Sequence, residues 1–495
     1  MSMDAAGEIN RDGELWTLLL EAVSVNNVLP LTSCCNMSCI FCSHRSNTPQ
    51  VKTFSFPPLP PALLRELIPF LDGSRKIIIG ESTTRLCEGE PLTHPHFLVL
   101  LKEVREMFPQ TPLQITTNGA LFQRSLVKEL AALCGDTVKG QRQKNGQGDT
   151  SPDLLPGNLE VVVSLNCISK EARAKVMGDR KPAAAPEGIA YLKEEGLTFH
   201  GSIVALPHLT GWEELENTLL FLDEAGAQTS RVFLPGFTRF TEPRAQYFTF
   251  SLWKELLVFL RELAEQIGHP IIPEPPLKKD LRATVEGVIR SSPANRAGIV
   301  RGDVISRING EDVFTGVEAF FKIRDTADPL VAILRGPSEP TRSVSEKNNS
   351  LPWREVCIAK KAGEPSGLVI YYDLSREDIE KVQREIERKK ANFPLLLTST
   401  AAEPLWEAAL REGLLPDNTS LEAVKNYYWG GTICCTGLLT VVDLEVHLRK
   451  KFSKGVGPDL VIIPLSPFDK QGRDLLGRSL DDLSPLIPQA SFSFL

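Results

Sequence analysis

Three cysteines lie close together near the start of the chain. Cys35, Cys39 and Cys42 occur in the segment LTSCCNMSCIFCSHR with the spacing C-x3-C-x2-C. Most [4Fe–4S] clusters are held by four cysteine thiolates, so three thiolates leave one iron open to another ligand. An open iron can bind and reduce a substrate directly. The spacing therefore predicts a reactive iron–sulfur site.

The same cysteines allow two other interpretations. A zinc site needs a fourth ligand, and His44 follows two residues after Cys42. The group could also be buried and inert. Cys34 fits no register of the motif, and we interpret it as structural.

Polar residues also end the strands predicted after the cysteine loop. The stretch EGEPLTHP, which contains Glu90, follows the second predicted strand after a longer connection. Thr117 and Asn118 end the strand in QITTNG, and Ser164 and Asn166 end the strand in VVVSLN. Ligand-contacting residues gather at the carboxyl ends of barrel strands. Because side chains alternate along a strand, Ser164 and Asn166 are expected on one face.

Together and in this order, these motifs resemble the radical S-adenosylmethionine (SAM) superfamily. In that family SAM binds the open iron through its amino and carboxylate groups and is cleaved to a 5′-deoxyadenosyl radical. The resemblance implies a [4Fe–4S] cluster on the three cysteines and SAM as cofactor. It also implies a set of SAM-contacting residues: Phe41, Gly89, Glu90, Pro91, Thr117, Asn118, Ser164 and Asn166. By the match of EGEP to the family's acidic motif, Glu90 would accept a hydrogen bond from the SAM ammonium, which only donates hydrogen bonds.

The acidic motif departs from the family pattern at one position. The family usually has GGEP, and here Glu88 replaces the first glycine. Cys87 and Cys167 lie near these motifs in sequence. They could be a hydrogen-atom donor or ligands of a second cluster, but buried small side chains are the favoured interpretation.

Strands alternate with amphipathic helices in the first half of the chain. This order predicts parallel pairing and an α/β fold, here an incomplete (β/α)6 TIM-like barrel. Six strands are predicted: Asn27–Leu31, Lys76–Gly80, Leu113–Thr117, Leu159–Leu165, Phe199–Ala205 and Ser230–Leu234. The polar stretch Lys139–Asn158 predicts a surface insertion.

Two breaks in the pattern divide the chain into three predicted domains, 1–268, 269–345 and 346–495. The first break is the proline-rich HPIIPEPPLKK, which predicts a semi-rigid linker from His269. The second is a polar stretch that ends near Ser350. Between them, ATVEGVIRSSPANRAGIVRGDVISRINGEDV resembles a bacterial-type PDZ domain, a small β-rich unit expected to fold on its own from Pro275 to Arg335. The family's G-L-G-F loop is not evident, so peptide binding and mere orientation of neighbouring domains stay open.

The last part of the chain returns to α/β alternation. The segments NYYWGGTICCTGLLTVVDL and VIIPLSPFDKQGRDLLGRSLDDL resemble an uncharacterised domain of radical SAM proteins that also carry PDZ modules. Asn426, Tyr427, Trp429 and Gly430 could line a site or form a turn packed under an aromatic ring. Cys434 and Cys435 are consecutive and are poor candidates for one metal.

Composition limits the remaining classes. The chain has 495 residues, 42% of them hydrophobic, a net charge of −7 and ten cysteines. This charge argues against nucleic-acid binding through phosphate contacts. No apolar run approaches the ~20 residues that span a bilayer, and the acidic, polar start lacks the features of a secretory signal. We therefore expect a cytoplasmic protein without membrane contact.

Three functions follow from these patterns. The first is a radical SAM enzyme that abstracts hydrogen from a peptide or protein substrate and takes electrons from a reductant such as a ferredoxin or flavodoxin. The second has a small-molecule or cofactor-biosynthetic substrate, and the PDZ domain recruits a partner. The third is an iron–sulfur scaffold or electron carrier. The EGEP, TTNG and VSLN stretches argue against the third, because a carrier needs no SAM pocket.

Overall fold

A computed structural model describes residues 13–45, 47–134, 159–241, 248–335, 353–452 and 457–495. The insertion predicted at Lys139–Asn158 and nearly all of the second polar stretch lie outside the described residues. The chain divides into two compact units. The first comprises Met1–Pro235, Glu242–Phe248 and Leu252–Glu274, and the second comprises Gly236–Thr241, Thr249–Ser251 and Pro275–Leu495.

The first unit contains a sheet of seven parallel strands. They follow one another across the sheet in chain order: β1 Val28–Leu29, β2 Ile77–Ile79, β3 Leu113–Thr117, β4 Leu159–Ser164, β5 Thr198–Val204, β6 Ser230–Phe233 and β7 Ile271–Glu274. In the described residues β1 and β7 are the two edges, so the sheet stays open. The predicted α/β class with an incomplete barrel is confirmed.

Helices connect these strands and cover the sheet. They are α1 Glu14–Ser24, α2 Pro61–Leu67, α3 Phe97–Met107, α4 Arg124–Ala132, α5 Lys170–Met177, α6 Ala184–Glu195, α7 Pro207–Thr210, α8 Trp212–Ala225 and α9 Phe250–Leu263. Helix α3 shows why they form: Phe97, Leu100, Leu101 and Val104 are buried at three- and four-residue spacing. Strand β2 is all isoleucine, as expected for a strand of a covered parallel sheet.

The seventh strand corrects the prediction of six strands and a linker from His269. Ile271–Glu274 pairs in parallel with Ser230–Phe233. Pro273 lies inside this strand and removes one backbone donor. Because β7 is an edge strand, the missing N–H does not interrupt a ladder between two neighbours. The proline-rich linker is therefore shorter than its composition suggests.

The PDZ-like region forms a mostly antiparallel sheet in the second unit. Its strands are β8 Ala283–Val288, β9 Val304–Ile308, β10 Glu311–Asp312, β11 Leu330–Leu334, β12 Trp353–Cys357 and β13 Leu368–Ile370, with helices α10 Pro293–Arg296 and α11 Gly316–Asp325. The order across the sheet is β12-β11-β9-β8-β13, and β10 pairs with β9. The predicted β-rich unit is present.

Two of these strands lie beyond the predicted boundary at residue 345. Ile358 and Leu368 belong to the same buried cluster as Val285 and Ile305. The carboxylate of Asp373 accepts hydrogen bonds from the backbone N–H groups of residues 316 and 317, at the start of α11. We therefore propose that the PDZ-like unit runs to about residue 374.

A fragment of residues 275–374 is expected to fold alone, whereas a fragment of residues 275–335 is expected to stay largely unfolded. The shorter fragment lacks β12 and β13 and so leaves the cluster around Val285 open to water. Circular dichroism and proton NMR of both fragments check this. Dispersed amide signals from the 275–335 fragment would contradict the longer boundary.

The remainder of the second unit is a parallel α/β domain, as predicted. Its strands are β14 Pro394–Ser399, β15 Ser420–Val424, β16 Leu460–Ile463 and β17 Ser491–Phe494, and its helices are α12 Arg376–Lys389, α13 Glu403–Arg411 and α14 Val441–Lys451. The strand order is β15-β14-β16-β17. Short 3-10 turns occur in both units: Ser43–Arg45, Ile68–Phe70, Pro91–Thr93, Thr436–Leu438 and Leu480–Leu486.

None of the helices in the described part of the chain is long and apolar enough to cross a membrane.

Candidate cofactor site

The cysteine loop follows β1 and is anchored on two sides. On one side, the N–H of Gly89 donates to the carbonyl of Thr32 at 2.7 Å, and the N–H of Glu90 donates to the carbonyl of Cys34 at 2.8 Å. On the other side, the loop N–H groups of residues 38 and 40 donate to the carbonyls that end α5, at 2.7 and 2.9 Å. The segment with the acidic motif and the segment with the cysteines are therefore joined backbone to backbone.

Gly89 is required by this close approach. A Cβ atom at this position would lie 2.1 Å from the carbonyl oxygen of Cys34. Any other residue would push the two segments apart. The glycine of the EGEP motif thus has a packing reason to be there, in addition to the SAM contact that the resemblance implies.

Burial perturbs the ionisation of two of the three thiols. Burial, together with the neighbouring Cys35 and Cys42, raises the pKa of Cys39 to about 12, although the Arg173 guanidinium acts to lower it. Burial also raises the pKa of Cys35. All three cysteines are free. Without a metal, Cys35 and Cys39 are therefore neutral thiols at neutral pH, and a bound cation would favour their thiolate forms.

The donor set fits a cluster better than a single ion. Among the described residues, no three His, Cys, Asp or Glu side chains lie close enough to hold one metal ion. A single zinc would need all its sulfur ligands at about 2.3 Å, whereas in a cluster each thiolate can bind a different iron. The alternative zinc ligand His44 lies 3.0 Å from the hydroxyl of Ser82. Three thiols on one anchored loop therefore fit the cluster that the sequence predicts.

Glu90 is the centre of a buried hydrogen-bond network and is 2% exposed. Its Oε1 accepts from the Thr117 hydroxyl at 2.6 Å and from the Leu92 N–H at 3.2 Å. Its Oε2 accepts from the Asn118 N–H at 2.7 Å. A carboxylate has about four acceptor positions, so one position on Oε2 remains for another donor.

Asn118 connects this network to the cysteine loop. Its side-chain amide donates to Oδ1 of Asn36 at 2.8 Å and also hydrogen-bonds to Cys35, which lowers the pKa of that thiol. Three predicted residues, Glu90, Thr117 and Asn118, are thus brought together. Hydrogen bonds therefore connect the end of β3, the acidic motif and the first cysteine.

The end of β4 differs from the expectation. The strand ends at Ser164, and Asn166 has a positive φ of 59°, so strand alternation does not extend to it. The Asn166 amide donates to the carbonyl of Ser164 at 3.2 Å and accepts from the N–H of Val204 at 2.7 Å. The prediction that Ser164 and Asn166 share a strand face does not hold, because Asn166 turns to tie β4 to β5.

The other predicted residues are placed as follows. Phe41 is half-buried in the cysteine loop. Pro91 is buried and begins the short 3-10 turn that Glu90 caps. Cys87 and Cys167 are both buried, which agrees with the favoured interpretation of small core side chains.

The sequence motifs did not assign two buried charged residues, Glu88 and Arg173, to the site. Glu88 is 7% exposed, and its Oε1 accepts from the N–H groups of Leu31 and Thr32 at 3.0 and 3.3 Å. Arg173 is fully buried and pairs with Asp179 at 2.7 Å. Its guanidinium keeps one nitrogen, Nη2, without a hydrogen-bond partner. A charged residue at a family glycine position was the available clue for Glu88; no motif pointed to Arg173.

Burial gives Glu88 a pH-dependent effect on stability. It raises the pKa of this carboxyl to about 8, with Glu90 adding to the rise. The folded form then holds a proton that the unfolded chain has already lost, so the contribution of Glu88 to stability falls as pH rises toward 8. For the SAM-free protein we expect a loss of about 1 kcal/mol per pH unit between pH 6 and 8.

Thermal unfolding of the SAM-free wild type and of Glu88→Gln at pH 6, 7 and 8 measures this effect. The wild-type melting temperature should fall relative to that of Glu88→Gln by about 2–4 °C per pH unit. The surface change Glu129→Gln is the control and should follow the wild type. Parallel curves for wild type and Glu88→Gln would show that this carboxyl does not titrate as its burial requires.

The second candidate segment, residues 426–430 of the α/β domain, forms a turn. The Asp443 carboxylate accepts from the backbone N–H groups of Tyr427 and Tyr428, and the Asn426 amide accepts from the N–H of Trp429 at 2.9 Å. Gly430 has a φ of +63°. These contacts favour the turn over a ligand site.

This turn also packs on a short segment from much earlier in the chain. The Thr432 N–H donates to the Phe237 carbonyl at 2.9 Å, and the Arg239 N–H donates to the Trp429 carbonyl at 2.7 Å. Residues 236–241 therefore belong to the second unit, although their sequence position had placed them in the first predicted domain.

Comparison with known proteins agrees with these observations. A model of the radical SAM superfamily matches residues 29–140, and a PDZ domain model matches residues 284–335. Search of the curated proteins gives no match.

The search of solved structures finds similarities that each cover about half of this chain. SuiB from Streptococcus suis bound to precursor peptide SuiA has 16% identity and a TM-score of 0.35, covering 50% of this chain and 48% of that chain. SuiB bound to S-adenosylmethionine has 17% identity and a TM-score of 0.35, covering 50% and 49%. Native anSMEcpe with bound AdoMet has 15% identity and a TM-score of 0.33, covering 50% and 62%. This chain thus spans about half the length of SuiB, and likeness at this level carries no inference about substrate.

The matched region therefore assigns residues 29–140 to a radical SAM domain, and enzymes of that superfamily use a [4Fe–4S] cluster and SAM. The chain combines this region with a PDZ domain and a further α/β domain. The resemblance of the α/β domain to an uncharacterised domain stays a prediction.

Proposed function

We propose that this protein holds a [4Fe–4S] cluster on Cys35, Cys39 and Cys42, cleaves SAM reductively and modifies a peptide or protein substrate. The observation that carries the proposal is the direct bonding of the cysteine loop to the segment of Glu90, through the N–H of Glu90 and the carbonyl of Cys34. A group of thiols and a candidate acceptor for an ammonium are thereby fixed next to each other.

Each group has a defined task in this proposal. The three thiolates would hold a [4Fe–4S] cluster and leave it a position for SAM. When bound, the cluster would supply the electron for the reductive cleavage of SAM. Glu90 keeps one acceptor position for the SAM amino group, while Thr117 and Asn118 fix the orientation of its carboxylate.

Further contacts with SAM are proposed from the resemblance. Phe41 packs near the adenine, Gly89 and Pro91 shape the loop around the amino group, and Ser164 at the end of β4 contacts the ribose or the carboxylate. Asn166 acts indirectly, because its amide is already bonded to the backbone of Ser164 and Val204.

The PDZ domain supports a peptide or protein as the substrate or partner. PDZ domains bind an extended peptide by adding it to a sheet as a further strand. Strand β13 pairs with β8 on one side, and no other described strand pairs with its other side. A peptide could extend the sheet at this edge.

The remaining partners follow from the chemistry and the sequence. Reductive cleavage needs a one-electron donor, and a ferredoxin or flavodoxin fits that need. A cytoplasmic location, where such donors and reduced thiols are found, agrees with the absence of a paired cysteine framework in the sequence. Neither nucleic acid nor membrane is part of the proposal.

Anaerobic reconstitution of the full chain with iron and sulfide, followed by SAM and dithionite, tests the function. The expected products are methionine and 5′-deoxyadenosine, detected by mass spectrometry, at many-fold higher yield than in a Cys39→Ala protein prepared in parallel. A cluster-loaded wild type that takes up electrons but forms no 5′-deoxyadenosine would favour the electron-carrier alternative.

A further inference from the structure

Glu88 has one carboxylate oxygen that the fold uses and one that it leaves without a partner. Oε1 accepts the N–H groups of Leu31 and Thr32, at the entrance to the cysteine loop. Oε2 is buried and has no hydrogen-bond partner. An unsatisfied buried acceptor destabilises a protein, and a carboxylate oxygen does so more than a neutral one. Such an atom points to a partner that binds there.

The position of Glu88 identifies where that partner lies. Glu88 and Glu90 flank Gly89, and this segment is bonded to the chain that leads into the cysteine loop, because the N–H of Gly89 donates to the Thr32 carbonyl and the N–H of Glu90 donates to the Cys34 carbonyl. Both side chains therefore belong to one short segment that borders the cysteine loop. The charge of Glu90 also raises the pKa of the Glu88 carboxyl, which agrees with two carboxyls close together.

Two buried carboxyls side by side suit one cationic group. Alone they repel each other, and burial keeps both protonated at higher pH than usual. An ammonium has three N–H donors and can bond both acids at once. The SAM amino group is the cation that the proposed function brings to Glu90.

We propose that Oε2 of Glu88 is a second acceptor for the amino group of SAM, so that this site holds the ammonium between two carboxylates. The inference rests on the proposed function, because it takes SAM as the ligand. It differs from the family pattern, in which a glycine at this position offers no side chain.

The test measures SAM binding to the cluster-loaded protein by equilibrium dialysis. Glu88→Gln keeps an oxygen for the N–H groups of Leu31 and Thr32 and places an N–H donor where Oε2 lies. We expect it to weaken SAM binding about 10- to 100-fold. Glu129→Gln, the same change on the surface of the first unit, should bind SAM like the wild type.

A SAM analogue without the amino group separates direct contact from loop positioning. If Glu88 contacts the ammonium, wild type and Glu88→Gln should bind this analogue with equal affinity. Equal losses for SAM and for the analogue would overturn the proposal and leave Glu88 as a support of the loop. A Glu88→Gln protein that binds SAM like the wild type would also overturn it.

A second variant and the measured iron content allow the binding result to be interpreted even if Glu88→Gln disturbs the loop. Glu88→Asp retains the negative charge and should still prefer SAM over the analogue, even if the loop shifts and Glu88→Gln takes up less iron. Loss of that preference in an iron-loaded Glu88→Asp protein would contradict the proposal. Failure of the wild type to bind SAM at all would instead reject the proposed function.

Discussion

Replacing Cys39 with alanine is expected to abolish cluster binding and reduce the iron content from about four atoms per chain to nearly none. Burial raises the pKa of the Cys39 thiol to about 12. It therefore becomes a thiolate only when iron binds to it. Two thiolates leave two irons without a protein ligand, so they are not expected to retain a cluster that three hold.

Cys34→Ala is the matched control for this experiment. Cys34 adjoins Cys35 and is exposed, but its contact with the acidic motif is made by its backbone carbonyl, which alanine retains. Iron and sulfide analysis after anaerobic reconstitution should show a full cluster in Cys34→Ala and none in Cys39→Ala. A full cluster in the Cys39→Ala protein would show that the ligands have been assigned wrongly.

Glu90→Gln is expected to retain the cluster and to weaken SAM binding by about 10- to 150-fold. The change removes a charge-assisted hydrogen bond, which is worth about 1.5–3 kcal/mol. Glutamine also places a donor against either the Thr117 hydroxyl or the Asn118 N–H, both of which now donate to the carboxylate. The new clash of donors adds to the loss of charge.

A second variant distinguishes the charge of Glu90 from its orientation. Thr117→Val removes one neutral donor to Oε1 and leaves the carboxylate in place. Its SAM affinity should fall by about tenfold or less. Iron content, measured beside the dissociation constants, should equal the wild-type value in both proteins. Unchanged SAM affinity in an iron-loaded Glu90→Gln protein would contradict the assignment of the EGEP motif.

Much of the first unit could be predicted because its signals are local. All six predicted strands are present, since buried β-branched runs such as Ile77–Ile79 alternate with helices of clear periodicity. Strand β7 was missed because Pro273 and the prolines after it read as a linker. Only its place at the sheet edge, a property of the whole fold, makes that proline acceptable.

The PDZ boundary shows a second limit of sequence reasoning. The polar stretch before residue 350 looks like the end of a domain, yet Trp353–Cys357 pairs with Leu330–Leu334 and Leu368–Ile370 pairs with Ala283–Val288. A polar composition indicates where the chain leaves a buried core. It does not indicate whether later strands pack on the same core again. Residues 236–241 give the same lesson, because their partners lie about 190 positions later, as in the 195-residue separation of Phe237 and Thr432.

The site was predictable to the extent that motifs determine it. Spacing identified the cysteines, the EGEP motif identified Glu90, and a strand end identified Thr117 and Asn118; the structure joins the last three by hydrogen bonds. The positive φ of Asn166 could not be read from the sequence. The unpartnered oxygen of Glu88 could not be read from it either, because a missing hydrogen bond is a property of three-dimensional surroundings.

The most direct test of the central claim is the electron paramagnetic resonance spectrum of the reduced, cluster-loaded protein with and without SAM. SAM that binds the open iron beside Glu90 should change the g-values of the reduced cluster in the wild type. The same SAM concentration should leave the Glu90→Gln spectrum largely unchanged. A wild-type spectrum that stays identical at saturating SAM would contradict a three-thiolate cluster with SAM on its fourth iron.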